Sequence, residues 1–396
     1  MLGPALLFVV VVAFAWNLGV HYTGAVMGMP YAARAVALWP ALALIAVLTI
    51  LGATFASGGV EETVGRHIIA ERLVTIPDAI VIVLAAGALT MLYNYLRIPT
   101  STIQILVACI VGVGLAGGIP IEWRTIGTLA VIWVIAPFVA CGLGFVFTRL
   151  LDLVIPPEAA RAEVQAQLAT GKEEEQRGMS ASPSPRRERG LGGEDSPIER
   201  AVPALALARH LPPQVISAAE NARTNQKTAA KPGQATVVAL RALPLLLVTV
   251  GTFASFVLGA NDVSNATGAF ILTRQLPLML AGLIGGLAMA VGTLTWGRRI
   301  LHTVAFDVVK MDLTMASAAQ GVQALVVLIA VTQGYFTSMN QALIGAMAGT
   351  GLARGRETVQ RRQIAAILRG WLIGPISGLA LAAALETLVR LLALRS

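Results

Sequence analysis

The chain has 396 residues, 56% of them hydrophobic and only 13% charged, with a mean hydropathy of +0.75. A soluble domain carries roughly a quarter charged residues, so the composition excludes a soluble globular protein and indicates a polytopic one, multi-pass in the cell membrane. The formal net charge of +8 does not call for nucleic acid, because basic excess in a membrane protein collects in cytoplasmic loops.

A membrane-spanning helix needs about 20 apolar residues. Leu2–Ala15 lacks a basic leading region and is followed by no small-residue cleavage site, so it reads as a first membrane helix rather than a cleaved signal. Further apolar windows run over Ala41–Ala56, Ala79–Leu92, Ile126–Val146, Val237–Leu258, Leu276–Leu294, Val322–Val331 with its flanks, and Trp371–Leu385. Cys109 and Cys141 lie in apolar segments and read as packing residues, with no disulfide framework or metal-ligand spacing around them. His67, His210 and His302 stand alone and read as surface or packing residues. The run GLIGGLAMAVG (Gly282–Gly292) reads as a close helix-packing face, since small residues let membrane helices approach.

Between about Pro156 and Gln234 the chain is rich in Pro, Ser, Gly and charges of both signs. Such a stretch cannot bury enough apolar surface to fold and is predicted to be disordered. Arg149 and Arg241 at its ends favour the cytoplasmic side. The expected organisation is a first membrane repeat over 1–154, a linker over 155–235 and a second membrane repeat over 236–396.

The two hydrophobic halves repeat one another. AWNLGVHYTGA (Ala15–Ala25) aligns without gaps on GANDVSNATGA (Gly259–Ala269), pairing Asn17 with Asn261, Leu18 with Asp262 and His21 with Asn265. PTSTIQILVACIVGVGLA (Pro99–Ala116) aligns on FTSMNQALIGAMAGTGLA (Phe336–Ala353), pairing Thr100 with Thr337, Ser101 with Ser338 and Gln104 with Gln341. WVIAP (Trp133–Pro137) matches WLIGP (Trp371–Pro375). Duplicated membrane halves with polar or glycine-rich interruptions at matching positions point to a secondary transporter whose site lies between the repeats.

Each motif suggests its own chemistry. Asn261, Asp262 and Asn265 are expected where a membrane helix breaks, and their side chains replace the water an ion loses on entry. The segments after Pro99 and Phe336 are too short and glycine-rich to span, and read as re-entrant hairpins near 99–118 and 336–355. Their first helices are expected to begin at Ser101 and Ser338, which are good N-caps. Two helix N-termini meeting at the centre offer free N–H groups to a small anion. A hydrolase would need a nucleophile with its base, paired acids or metal ligands, and the sequence shows none. A channel would need a continuous pore and filter, whereas the duplicated halves favour alternating access.

With GANDVSNATG, the hydroxyl-led segment downstream and the degenerate upstream copy in view, the chain resembles the PiT inorganic phosphate transporter family, with features similar to its bacterial sulfate permease branch. The likeness spans essentially everything outside the linker. It implies an all-α polytopic fold of two inverted-topology, pseudo-symmetric repeats, each with a discontinuous helix and a re-entrant helical hairpin. It further implies that the motifs jointly hold a tetrahedral oxyanion and its coupling cation. On this sequence the anion set is Asn17, Thr100, Ser101, Thr102, Asn261, Asn265, Thr337, Ser338 and Asn340. Asp262, with Asn261 and Asn17, takes the coupling Na⁺ or H⁺, and His21, Gln104 and Gln341 are further candidates. No other cofactor or metal is expected, and a homodimer remains open. Two departures matter: Leu18 stands where the first copy should carry Asp, and the Ser-Thr-Thr-His pattern reads Ser101-Thr102-Ile103-Gln104 and Ser338-Met339-Asn340-Gln341. Sulfate carries no proton near neutral pH and suits a site of donors, while Asp262 is enough to accept one proton from phosphate. The substrate stays open between the two, with phosphate as the family default.

Overall fold

The computed structural model describes residues 2–96, 100–159, 234–299, 301, 311–355 and 361–393. They are helical almost throughout, and among them no β-strand forms beyond a single bridge between Ile69 and Ile121. In the first half α1 covers Leu2–Ala32, α2 Leu38–Phe55, α3 Gly58–Arg66, α4 Ile76–Tyr95, α5 Thr102–Gly117 and α6 Trp123–Val154. In the second, α7 covers Gln234–Asp262, α8 Ser264–Leu272, α9 Leu278–Gly292, α10 Leu313–Thr332, α11 Met339–Arg354 and α12 Arg361–Ala393. A short π turn, Thr293–Gly297, extends α9. The described residues of the two halves, apart from those nearest the linker, form one compact unit. Most of the expected linker, and His210 and His302, lie outside the described residues.

Among the described residues eight helices are long and apolar enough to cross a membrane, one for each apolar window read from the sequence. Hydropathy serves well here because a backbone in lipid must satisfy its hydrogen bonds within its own segment. Large apolar side chains face outward, among them Phe8, Trp39, Val134, Phe138 and Ile376. Polar side chains turn inward, and α10 is the most enclosed of the spans while α6 and α12 are the least.

The internal repeat carries through to the elements. Shifting α4 and α5 by 237 positions gives 313–332 and 339–354, the bounds of α10 and α11. Proline lies inside both long helices of the third match, Pro137 in α6 and Pro375 in α12. The packing exchanges partners between halves: α5 lies against α12 and α11 against α6. Small residues permit this closeness. A Cβ on Gly349 would stand 1.9 Å from the Cys141 carbonyl oxygen on α6, and one on Gly282 would stand 2.1 Å from that of Ala53 on α2. The small-residue run on α9 is thus a helix-packing face.

Two expectations need correction. The segments near 99–118 and 336–355 are not hairpins by themselves. Each holds one helix of 16 residues, about 24 Å at the α-helical rise against a ~30 Å apolar core. Each is the second member of a packed pair, α4 with α5 and α10 with α11; glycines inside the helices, such as Gly112 and Gly349, serve packing, while Gly118 at φ 65 ends α5. The discontinuous helix is also absent from the first half, where α1 runs unbroken through Asn17 and His21. In the second half the interruption between α7 and α8 is one residue, Val263, at helical dihedrals of φ −59 and ψ −37. The side chains supply the polar groups, so the backbone need not unwind.

Candidate anion and cation site

The starts of α5 and α11 are built alike. The Ser101 hydroxyl accepts from the Gln104 backbone N–H at 3.4 Å, and the Ser338 hydroxyl accepts from that of Gln341 at 3.3 Å. Both serines cap their helices in extended conformation, leaving other first-turn N–H groups at each positive end. The two ends meet. Gln104 Nε2 donates to Gln341 Oε1 at 3.4 Å, and Gln341 Nε2 donates to Gln104 Oε1 at 3.2 Å. Thr100, Ser101, Thr102, Thr337 and Ser338 are all buried.

The motif at the α7–α8 joint binds both ends. Asn261 clasps the backbone entering α11: its Nδ2 donates to the Thr337 carbonyl at 2.8 Å and its Oδ1 accepts from the Thr337 N–H at 3.2 Å. The same Nδ2 donates to Asp262 Oδ2 at 2.9 Å. Asn265 Nδ2 donates to Asp262 Oδ1 at 3.3 Å and to the Thr102 hydroxyl, the first residue of α5, at 3.2 Å. Asp262 is fully buried, and no basic side chain among the described residues lies within ion-pair distance of it. Asn265 Oδ1 and Thr337 Oγ1 are buried without a hydrogen-bond partner among the described residues. A buried carboxylate with amide donors but no countercharge is costly, and unpaired acceptors beside it are what an incoming cation uses.

The first copy of the motif is wired differently. Asn17 Nδ2 donates to the Gly87 carbonyl on α4 at 3.3 Å, and Asn94 Nδ2 donates to Asn17 Oδ1 at 3.4 Å. His21 Nδ1 pairs with Asn94 Oδ1, and its Nε2 with Asn340 Nδ2 at 3.1 Å on α11. Asn17 therefore faces α4, whereas its repeat partner Asn261 faces the α11 entry. Leu18 is fully buried and brings no polar group.

Four participants escaped the sequence reading. The Tyr22 hydroxyl hydrogen-bonds Thr102 Oγ1 at 2.7 Å and also reaches Asp262. Asn94 joins Asn17 to His21. On α10, Gln320 Nε2 donates to the Ala25 carbonyl at 3.1 Å and to Gln323, whose Nε2 donates to the Met339 carbonyl at 3.3 Å. All four are polar residues inside apolar runs, the signal that singles out functional positions at membrane depth. Trp133, from the third repeat match, braces the site: its Nε1 donates to the Phe336 carbonyl at 3.1 Å. Cys109 bonds only a backbone carbonyl, that of Gly378. Among the described residues no three His, Cys, Asp or Glu side chains could hold a metal ion together.

Eight candidate spans among the described residues, around a buried polar centre drawn from both halves, define a multi-pass integral membrane protein of the transporter class. The model of the Phosphate transporter family matches residues 18–382, and the chain belongs to that family. It is 24% identical to the Inorganic phosphate transporter 2-1, chloroplastic, of Arabidopsis thaliana, over 91% of this chain and 67% of that protein. It is also 24% identical to the Sulfate permease CysP of Bacillus subtilis, over 95% of this chain and 85% of that protein. Among solved structures it shares the fold of a sodium-dependent phosphate transporter, with a TM-score of 0.74 and 20% identity, covering 99% of this chain and 100% of the other. The family and this structural neighbour are transporters and not enzymes.

Proposed function

We propose that the chain is a secondary active transporter of a small tetrahedral oxyanion, inorganic phosphate, coupled to Na⁺ or H⁺. The observation that carries this reading is the junction at which two serine-capped helix starts meet through Gln104 and Gln341 while Asn261 and Asn265 tie both to Asp262. N–H groups and hydroxyls at Thr100–Thr102 and Thr337–Ser338 replace the anion's water, with Asn340 and His21 close by. Asp262 takes the coupling cation, offsetting charge that is otherwise expensive in a low-dielectric interior. The matched α4–α5 and α10–α11 pairs are read as hairpins of two inverted repeats, and transport as rocking of one bundle against the other.

Sulfate is the second reading. Leu18 is buried and apolar where a further acceptor for a phosphate proton would stand, and the Bacillus sulfate permease aligns along nearly the whole chain. Uptake of radiolabelled phosphate and sulfate into proteoliposomes, with and without Na⁺ and a pH gradient, tests both. Saturable phosphate accumulation that excess sulfate leaves unchanged supports the first reading. The reverse selectivity supports the second, and no uptake of either anion refutes both.

A further inference from the structure

Outside this site, among the described residues, Glu61 is a fully buried carboxyl with no basic partner, whereas the equally buried Glu386 pairs with Arg390. Glu61, on the nine-residue helix α3, is 0% exposed. Its Oε1 accepts from the Thr267 hydroxyl on α8 at 2.6 Å, and its Oε2 has no hydrogen-bond partner among the described residues. Among the described residues the surroundings carry no countercharge. Helices α2, α8, α9 and α10, which adjoin α3, contain no Asp, Glu, Lys, Arg or His at all. The charged neighbours on α3 itself, Glu62 and Arg66, pair with each other at the surface, where Glu71 also meets Arg66 and Arg274.

The contact leads to the anion site by two routes. The Thr267 hydroxyl has a single hydrogen and two acceptors in reach, Glu61 Oε1 at 2.6 Å and the Val263 carbonyl at 3.0 Å. Val263 is the joint between α7 and α8, next to Asp262. A charged Glu61 draws that hydrogen outward, and a neutral one releases it to the joint. Along the second route Thr63, half a turn on, donates its hydroxyl to the Gly334 carbonyl at 2.6 Å, in the segment that leads to Thr337 and Ser338.

We propose that Glu61 is a proton-binding site of the transport cycle, separate from Asp262, whose occupancy is transmitted through Thr267 to the α7–α8 joint. A proton fits better than a metal cation, because one bare carboxylate oxygen takes a proton whereas a sodium ion needs a shell of several oxygens. Burial raises the Glu61 carboxyl to about 7 against the opposing effect of the neighbouring Thr267 and Ser57 hydroxyls, the latter donating its hydrogen to the Ala53 carbonyl, so the group is poised to load and unload near neutral pH. The cycle in which it acts is the transport reading above.

The test separates the two. In purified full-length protein, infrared difference spectra across a pH titration show a protonated carboxylic band that disappears as pH rises through about 7 and is missing in Glu61→Gln. This readout needs no transport. Thr267→Val removes a donor to the charged form and moves the midpoint upward. In proteoliposomes, a one-unit pH gradient drives about tenfold accumulation per coupled proton. Glu61→Gln should lose that factor in the ratio of gradient-driven accumulation to tracer exchange of radiolabelled phosphate, with sulfate run in parallel. Absence of the band in the wild type, an unshifted midpoint in Thr267→Val, or an unchanged ratio in Glu61→Gln overturns the proposal. Wild-type protein that shows the titrating band but exchanges neither anion refutes the transport reading instead.

Discussion

Asn261→Ala is the most informative substitution, because sequence and structure give this residue different jobs. The sequence reading makes it a ligand; the structure spends its amide on the backbone of Thr337 and on Asp262. Truncation leaves three buried groups short of a partner: the Thr337 N–H, the Thr337 carbonyl and Asp262 Oδ2. Each costs about 1–3 kcal/mol when left unsatisfied. The costs are not additive between neighbours, so about 3 kcal/mol is the expected total. That loss lowers the melting temperature of the purified protein. If it is felt in the presentation of the α11 start, KM for the anion rises about 100-fold. Asn261→Asp keeps the acceptor for the Thr337 N–H but removes both donated bonds and sets a second carboxylate beside Asp262, so it should be worse than Ala at neutral pH. The assays are thermal unfolding in detergent and uptake kinetics per folded molecule. Wild-type melting with raised KM would make Asn261 a direct ligand, and wild-type values in both would refute the clasp.

Asp262→Asn keeps size and most hydrogen bonding while deleting the charge, so concentrative uptake should vanish while tracer exchange persists; a mutant that still concentrates its anion at normal rates ends the coupling role. Arg354 is enclosed and pairs with Asp152 at 2.6 Å and with the buried Asp312 at 3.1 Å, so Arg354→Met strands two carboxylates. Breaking such a pair costs about 3–5 kcal/mol, read as a fall in the folded, monodisperse fraction on size exclusion, and an unchanged fraction refutes it. Gly349→Val places a branched side chain where even a Cβ would stand 1.9 Å from the Cys141 carbonyl oxygen; the α6–α11 crossing should fail and folded protein be lost, whereas normal yield would show that the helices can part at little cost.

The sequence by itself determined the spans, the duplication and the caps. Each follows from short-range physics: an apolar run long enough for the bilayer, a repeat visible as paired residues, and a serine that satisfies N–H groups three positions ahead. Ser101 and Ser338 are legible for that reason. Tertiary structure alone decided what each polar side chain does. Gln104 and Gln341 are 237 positions apart, and only the meeting of α5 with α11 makes them reciprocal partners. Asn17 and Asn261 are equivalent in the repeat, yet one faces α4 and the other the backbone of Thr337. Glu61 lies in GGVEETVGR, outside every apolar window read from the sequence, and its neighbour Glu62 is at the surface. Which of two adjacent glutamates is buried depends on how α3 is rotated against α8, and long-range packing sets that rotation rather than local pattern. A side chain's role in a membrane interior is fixed by the partner that replaces water, and here several of those partners come from the other half of the chain, as for Gln104, Asn265 and Glu61.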